Sequence, residues 1–584
     1  MTRTDTFVVG TLVLLLALVA GLIGVPALQL SSSSSSASPL LPGASGPVAE
    51  ARPYVEGALG APGSVTPLTA RSQVDRDLVA LLFSGLVRNG PDGTVVPDLA
   101  ERWSVDKTGR TWTVDLRADA RWHDGQPVTA ADVLYTIQTM QDPAYTGPSS
   151  TSWSEVTVTA SSPRRVVFTL QTPLGGFLQA LTQPLAPAHL LADIPVEALA
   201  DDPFGRQPVG SGPFALVEMT DTSASLVAAA DFTAADEEAS ADPSSSATTD
   251  SLSSPVPTHR PSRPKPYLSG MEFRYYTDPE KLAADFRDGS LDAVSGISRQ
   301  LAAALGADPG TRLLRYPGST LTAVLLNLRP SHREFASPAV RTALLKAIDR
   351  GRLIKEAYAM SAASATGPIP PSSPLFDPAA DPLVTYDRKA ASKALTAVGW
   401  THKKDGWYLP KAKTPLTIEV VSPTQDTNPG LFKATEAVIR DWAALGFTVT
   451  HVALPPGQFV TDRLATGTFQ VAVVDVTVGL DPDLYPLLAS SQTLTGGSNV
   501  MGVQDRALDA LLAKARAPGT DAARKAAYSA LQKQLATGRY LLPLAFADEV
   551  VVAHDTLEGP LLRQASDPSD RFWDVLTWRL AVDR

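Results

Sequence analysis

The chain has 584 residues, 44% of them apolar and 19% charged, which suits a globular body with sizeable cores and excludes a chain disordered throughout. Lys and Arg number 50 against 60 Asp and Glu, a net charge of −10 that is ill suited to a polyanion, so nucleic acid is not an expected partner. Cysteine is absent, which excludes disulfides, thiolate metal sites, a cysteine nucleophile and a lipid-modified N-terminal cysteine.

Phe7 to Leu28 is an uncharged apolar run. At about 1.5 Å per residue it is long enough to cross roughly 30 Å of hydrocarbon. It is either an uncleaved transmembrane anchor or an unusually long signal peptide, with Ser35-Ser36-Ala37 the nearest cleavage candidate. Its length favours the anchor, since the apolar region of a cleaved signal usually spans about 7–15 residues. Arg3 is the only basic residue before it, which places the N-terminus in the cytoplasm and the body outside; cleavage would instead release a secreted body. Residues 29–65, rich in Ser, Pro, Gly and Ala, read as a flexible tether with too few bulky side chains to offset the entropy of ordering.

The body begins with Leu78-Val79-Ala80-Leu81-Leu82-Phe83, a buried helix closed near Gly85. Trp112, Val114 and Leu116 alternate with polar residues as in a half-buried strand. Val156–Thr159 and Val166–Leu170 flank a turn and form a hairpin, and Thr129 with Asp132 opens a helix as a capping box. An acidic, Ser/Thr-rich and then Pro-rich stretch, 233–266, reads as a disordered insertion. Strand Met271–Tyr276, helix Glu280–Arg287 and strand Leu291–Val294 make a βαβ crossover. Strands Thr322–Leu328, Leu416–Val421, Phe447–Val452 and Phe469–Val476 then alternate with helices Pro338–Ala359, Leu431–Leu445 and Ala507–Ala517, predicting a mixed α/β lobe.

Catalytic signals are thin. No G-x-S-x-G elbow, H-E-x-x-H or Walker loop is present, and the seven histidines have no ligand spacing, so no metal, cofactor or catalytic residue is expected. Ser262 and Lys265 match S-x-x-K only as letters within the Pro-rich insertion. Gly210-Ser211-Gly212-Pro213 has lost an N–H donor to proline and reads as a tight turn, not a phosphate loop. Trp122-His123-Asp124-Gly125 is either an acid–base pair or a turn; the turn is favoured because adjacent side chains seldom converge on one substrate.

Several ordered landmarks carry a resemblance: Leu82-Phe83-Ser84-Gly85-Leu86-Val87-Arg88, Pro97 to Trp103, Trp112 to Arg117, and Trp122-His123-Asp124-Gly125-Gln126-Pro127-Val128-Thr129-Ala130-Ala131-Asp132-Val133. Gly210 to Phe214, Asn327, Val340 to Leu344, Ala347 to Arg350, Ala394 to Trp400 and Asp481-Pro482 follow. In this order, from about residue 66 to the end, the chain resembles the family 5 extracellular solute-binding proteins of ABC importers, which include oligopeptide-, dipeptide- and nickel-binding proteins. The resemblance implies an α/β, two-lobed fold like that of periplasmic binding proteins, of type II with an extra subdomain and a hinge between the lobes, joined here to an N-terminal transmembrane helix. Lobe I would comprise 66–86, 203–317 and 546–584, the extra subdomain 87–202, and lobe II 318–545.

By the same resemblance, a peptide or similar polar solute would bind between the lobes and pass unaltered to the transmembrane subunits of an ABC permease. The ligand contacts implied by position are Arg71, Ser72 and Gln73; Ser295 and Gly296; Thr322 and Ala323; and Asp475, Val476 and Thr477. A sensory or envelope-interaction protein retaining the same lobes is the alternative. Peptide-binding relatives carry an aspartate four residues before the counterpart of Pro482, paired with the ligand's amino group, whereas this chain has Val478. With Arg71 nearby in the pattern, that departure points to an anionic or carboxylate-bearing ligand.

Overall fold

Tyr54–Leu59 is the axis of the first sheet, although its small residues hide it in the sequence. Gly57 has no side chain because a Cβ there would come within 2.6 Å of Leu291 Cδ1. The tether expected over 29–65 therefore ends earlier, since this strand pairs in parallel with Gly270–Tyr276 on one side and Ala293–Ser295 on the other. The computed structural model describes residues 52–581 apart from 91–92, 149–152, 154, 231, 233–265, 480 and 494–496. The apolar run Phe7–Leu28, the Ser-rich stretch after it and almost all of the insertion, with Ser262 and Lys265, lie outside the described residues. Among the described residues no helix is long and apolar enough to cross a membrane.

The first sheet has seven strands, ordered Thr311–Tyr316, Glu549–His554, Ala293–Ser295, Tyr54–Leu59, Gly270–Tyr276, Ser223–Ala228 and Phe214–Met219. The expected crossover is present through helix Pro279–Arg287, with Tyr54–Leu59 inserted between its two strands. A second sheet of six strands is ordered Ala362–Ser364, Leu541–Ala547, Thr320–Leu326, Val471–Thr477, Thr417–Pro423 and Thr448–Leu454, with separate apolar clusters on its two faces. The chain crosses between these sheets at Pro317–Ser319 and again at Ala547–Asp548. A four-stranded sheet holds Thr111–Leu116 and the hairpin Val156–Leu170, covered by helix Ala130–Gln141. Thr129 and Asp132 form that helix's capping box.

The helix expected over 338–359 is two helices, Pro338–Lys346 and Arg350–Tyr358. Asp349 divides them: its carboxylate accepts from Arg352 N at 3.0 Å, while its own N–H donates to Asp441 at 2.8 Å and cannot continue the first helix.

Candidate ligand-binding cleft

Open α/β sheets place ligands beyond the carboxyl ends of their strands. At that end of Tyr54–Leu59 and Ala293–Ser295, Gln73, Ser295 and Gly296 line a polar cavity of about 90 Å³ with Arg299, Glu549 and Arg571. Gly296 turns the chain at φ +66°, and Ser298 then caps helix Arg299–Leu305.

A buried ion cluster supports the cavity. Arg571 is 2% exposed, and it donates to Asp77 through Nη1 at 2.8 Å and Nη2 at 2.7 Å, and to Glu56 through Nη2 at 2.7 Å. Burial opposes its charge, but Asp77 and Glu56 override that cost and hold the guanidinium protonated. Gln73 Nε2 is fixed to Asp77 at 2.8 Å and Ser569 at 2.9 Å, and Ser295 Oγ accepts from Arg571 at 3.4 Å.

A second polar group stands on the six-stranded sheet. Thr322 Oγ1 donates to Asp475 Oδ1 at 2.6 Å and therefore accepts from Tyr358 Oη, also at 2.6 Å; Asn428 donates to the other Asp475 oxygen at 2.9 Å. Val476 is half-buried, and the exposed Thr477 meets Thr320 at 3.0 Å through their hydroxyls. Ala323, next in the strand, packs in the apolar cluster with Val421 and Phe546, so it does not join Thr322.

Arg299 links the two groups. Its Nη2 donates to Asp548 O at 2.8 Å, and its guanidinium carbon lies 5.5 Å from the centre of the Tyr358 ring. Desolvation raises the carboxyls of Asp475, Asp548 and Glu549, with Asp548 reaching about 6, and the Arg299 charge opposes the rise at all three. Asp475 retains exposed surface, yet the protein around its carboxyl outweighs the hydrogen bonds from Thr322 and Asn428. Arg315 also acts on Asp548, and Arg571, though paired with Glu56 and Asp77, opposes the rise at Glu549 as well. Between the two sheets, therefore, carboxyl groups outnumber the guanidiniums left to neutralise them.

The remaining expected contacts have local roles. Ser72 caps helix Gln73–Leu82 in a capping box with Asp75. Arg71 is exposed and donates to Thr146, to its carbonyl at 2.8 Å and its hydroxyl at 3.0 Å. Val478 packs in an apolar cluster, and its N–H donates to Ser319 O at 3.2 Å beside the first crossing. Arg299, Tyr358, Asp548, Glu549 and Arg571 were absent from the expected set; the one local signal was a Ser-x-x-x cap that starts a helix with Arg299 beyond a strand end.

Trp122-His123-Asp124-Gly125 forms a turn. Gly125 takes φ +84°, Trp122 is buried, His123 Nε2 lies 2.9 Å from Gly212 O, and Asp124 pairs with His189 at 2.8 Å. Gly210 and Gly212 pack against the end of helix Gln73–Leu82, where a Cβ would meet the carbonyl oxygens of Leu82 at 1.8 Å and Leu81 at 2.6 Å, and the N–H groups of Ser211 and Gly212 are spent on Leu82 O, so neither is left to cradle a phosphate. Among the described residues no group of three or more His, Asp or Glu side chains is arranged to hold a metal.

Residues 94–499 match the family model of bacterial extracellular solute-binding proteins, family 5 (middle). Protein XP55 of Streptomyces lividans is 26% identical over 524 residues, covering 87% of this chain and 86% of its own length. The oligopeptide-binding protein AppA of Bacillus subtilis, solved with a nonapeptide, superposes with a TM-score of 0.66 at 20% identity, covering 91% of this chain and 100% of that one. NikZ of Campylobacter jejuni, solved with Ni(L-His), gives a TM-score of 0.65 at 23% identity over 90% of this chain and 99% of that one.

Proposed function

The chain belongs to the family 5 bacterial extracellular solute-binding proteins, the substrate-binding components of ABC importers, and on that premise we propose that it binds a peptide-like solute carrying a positive charge. The ligand would lie between the two larger sheets, be released unaltered, and pass to the transmembrane subunits of a permease. The observation that carries this reading is the carboxyl surplus around Arg299: Asp475, Asp548 and Glu549 are each raised by desolvation. An ammonium entering there supplies the missing counter-charge, and closure of the sheets over it strengthens that attraction by removing water. This replaces the anionic ligand anticipated from Arg71, whose guanidinium is engaged by Thr146. It also gives the amino group a partner other than the side chain replaced by Val478.

Calorimetry on one peptide with a free and an acetylated N-terminus tests the reading. The free amine should bind at least tenfold tighter at pH 7, and Asp475→Asn should shrink that preference. A carboxyl near 6 is mostly protonated at pH 5 and ionised at pH 7, while an α-amine of pKa about 8 stays charged at both. Affinity for the free amine should therefore rise, by up to about tenfold, as pH increases from 5 to 7. A tighter acetylated peptide, or a falling affinity over that range, would refute the charge assignment.

The run Phe7–Leu28 would hold the protein in the cytoplasmic membrane with its body outside, substituting for a lipid on cysteine. Full-length protein should sediment with membranes and resist alkaline extraction, and removal of residues 1–28 should abolish this. A soluble product beginning near Ser38 would instead establish cleavage.

A further inference from the structure

A second cavity, of about 370 Å³, shares no lining residue with the polar cavity of the cleft, although Ser569 in its wall holds Gln73; it lies between helix Gln73–Leu82, the hairpin Val87–Pro97 and the 3₁₀ segment Pro568–Thr577. Its volume falls within the roughly 300–1,000 Å³ typical of small-molecule sites. Val79, Phe83, Pro184, Phe232, Trp573 and Leu576 supply apolar walls. Arg563 supplies a polar one. It is 8% exposed, its Nη1 donates to Gly90 O at 2.8 Å, and its guanidinium carbon lies 4.6 Å from the Trp573 ring centre. Its Nε is buried without a hydrogen-bond partner, and among the described residues Nη2 has no acceptor and the guanidinium forms no ion pair.

Three carboxyls also border the cavity, and each is already engaged. Asp567 pairs with Arg76 at 2.9 Å. Asp570 accepts from the backbone N–H groups of Ser566 at 2.7 Å and Asp567 at 3.1 Å. Asp98 is raised by burial, against the opposing influence of Arg88, Arg117 and Ser84. Burial lowers Arg563 to about 10, and Arg88 adds to that effect against Asp570 and Asp574. The unused capacity is thus a pair of donors on one edge of a buried cation. The Nε–Nη2 edge of a guanidinium matches the two oxygens of a carboxylate.

We infer that this cavity is a second ligand site, independent of the interlobe cleft, for a small amphipathic monocarboxylate whose apolar body packs on Phe83 and Trp573 and whose carboxylate takes the free edge of Arg563. The test is calorimetry on the full-length chain in detergent, using 3-phenylpropanoate against its neutral isostere 3-phenylpropanamide. The carboxylate should bind one to one and at least tenfold tighter than the amide. Arg563→Gln should remove that preference while leaving the amide's affinity unchanged. Ala80→Trp, which fills the cavity and retains Arg563, should abolish binding of both without changing the affinity of the cleft peptide. Equal binding of acid and amide, tighter binding of 3-phenylpropylammonium, or carboxylate binding that survives Ala80→Trp would overturn the proposal. Should Arg563→Gln fail to fold, the isostere pair and the Ala80→Trp variant decide alone. Deleting 234–265, which begins beside Phe232, should not alter the carboxylate's affinity; a large gain would show that the chain's own acidic insertion is the occupant and would also overturn it.

Discussion

Arg571→Ala should lower stability by about 3–5 kcal/mol, the loss expected when one member of a buried ion cluster is removed and its partners stay behind. Glu56 is wholly buried and Asp77 is 4% exposed, so neither carboxylate can recover hydration in place. Tyr54 supplies one hydrogen bond to Glu56 at 2.8 Å, and Gln73 one to Asp77 at 2.8 Å, both too weak to replace a charge. The pH dependence follows in sign. Without the guanidinium, burial raises both carboxyls above their unfolded value of about 4, so the folded variant binds more protons than the unfolded chain. Its stability should therefore increase as pH falls from 7 towards 5. Replacing all three groups by neutral residues of similar volume, Glu56→Gln, Asp77→Asn and Arg571→Met, should recover most of the loss. Denaturant unfolding of the two variants at both pH values provides the measurement; an Arg571→Ala loss under about 1 kcal/mol would mean that water or rearrangement already compensates the pair.

This cluster marks the limit of what the sequence discloses. Periodic elements were legible because their causes are local: Trp112, Val114 and Leu116 alternate inward, and Thr129 with Asp132 supplies a capping box. Tyr54–Leu59 was not, because its central place in the sheet depends on Gly57 fitting beneath Leu291 and Glu56 meeting Arg571, hundreds of residues away. The break at Asp349 likewise depends on Asp441, supplied by a distant helix. In the cleft, Gln73, Ser295, Gly296, Thr322 and Asp475 were accessible as strand ends and helix starts set by a resembled pattern. Arg299, Tyr358 and Glu549 were not, since what distinguishes them is a charge imbalance created only when two separate sheets face each other. Ala323 stands apart from Thr322 for a simpler reason: it neighbours Thr322 in sequence, and a strand turns neighbours to opposite faces.

Gly318→Ala should disturb both stability and closure, because the two crossings touch there backbone to backbone. A Cβ on Gly318 would lie 1.9 Å from Ala547 O, and neither atom belongs to a side chain able to swing away. Gly318 is also bridged to Ala565, with Ser319 N donating to Ala565 O at 3.0 Å and Ala565 N to Pro317 O at 2.9 Å, so the first crossing is held on its other side. Ala547 is followed by Asp548, whose N–H donates to Ser361 O at 3.0 Å and whose carbonyl receives Arg299. Relief must therefore displace the second crossing together with the Arg299 anchor. Overpacking of this kind costs about 1–3 kcal/mol. Its functional consequence should be larger than that figure alone implies, since the same displacement misplaces Arg299 against Tyr358 and Asp475. Peptide affinity should fall at least tenfold, and X-ray scattering should show a smaller ligand-induced contraction than in the parent protein. Gly457→Ala, where a Cβ meets nothing within 4 Å, is the control and should leave stability within about 0.5 kcal/mol and binding unchanged. If Gly318→Ala matches that control in affinity and contraction, relative movement of the two sheets does not pass through these crossings, and ligand capture must be a local rearrangement of the cleft residues.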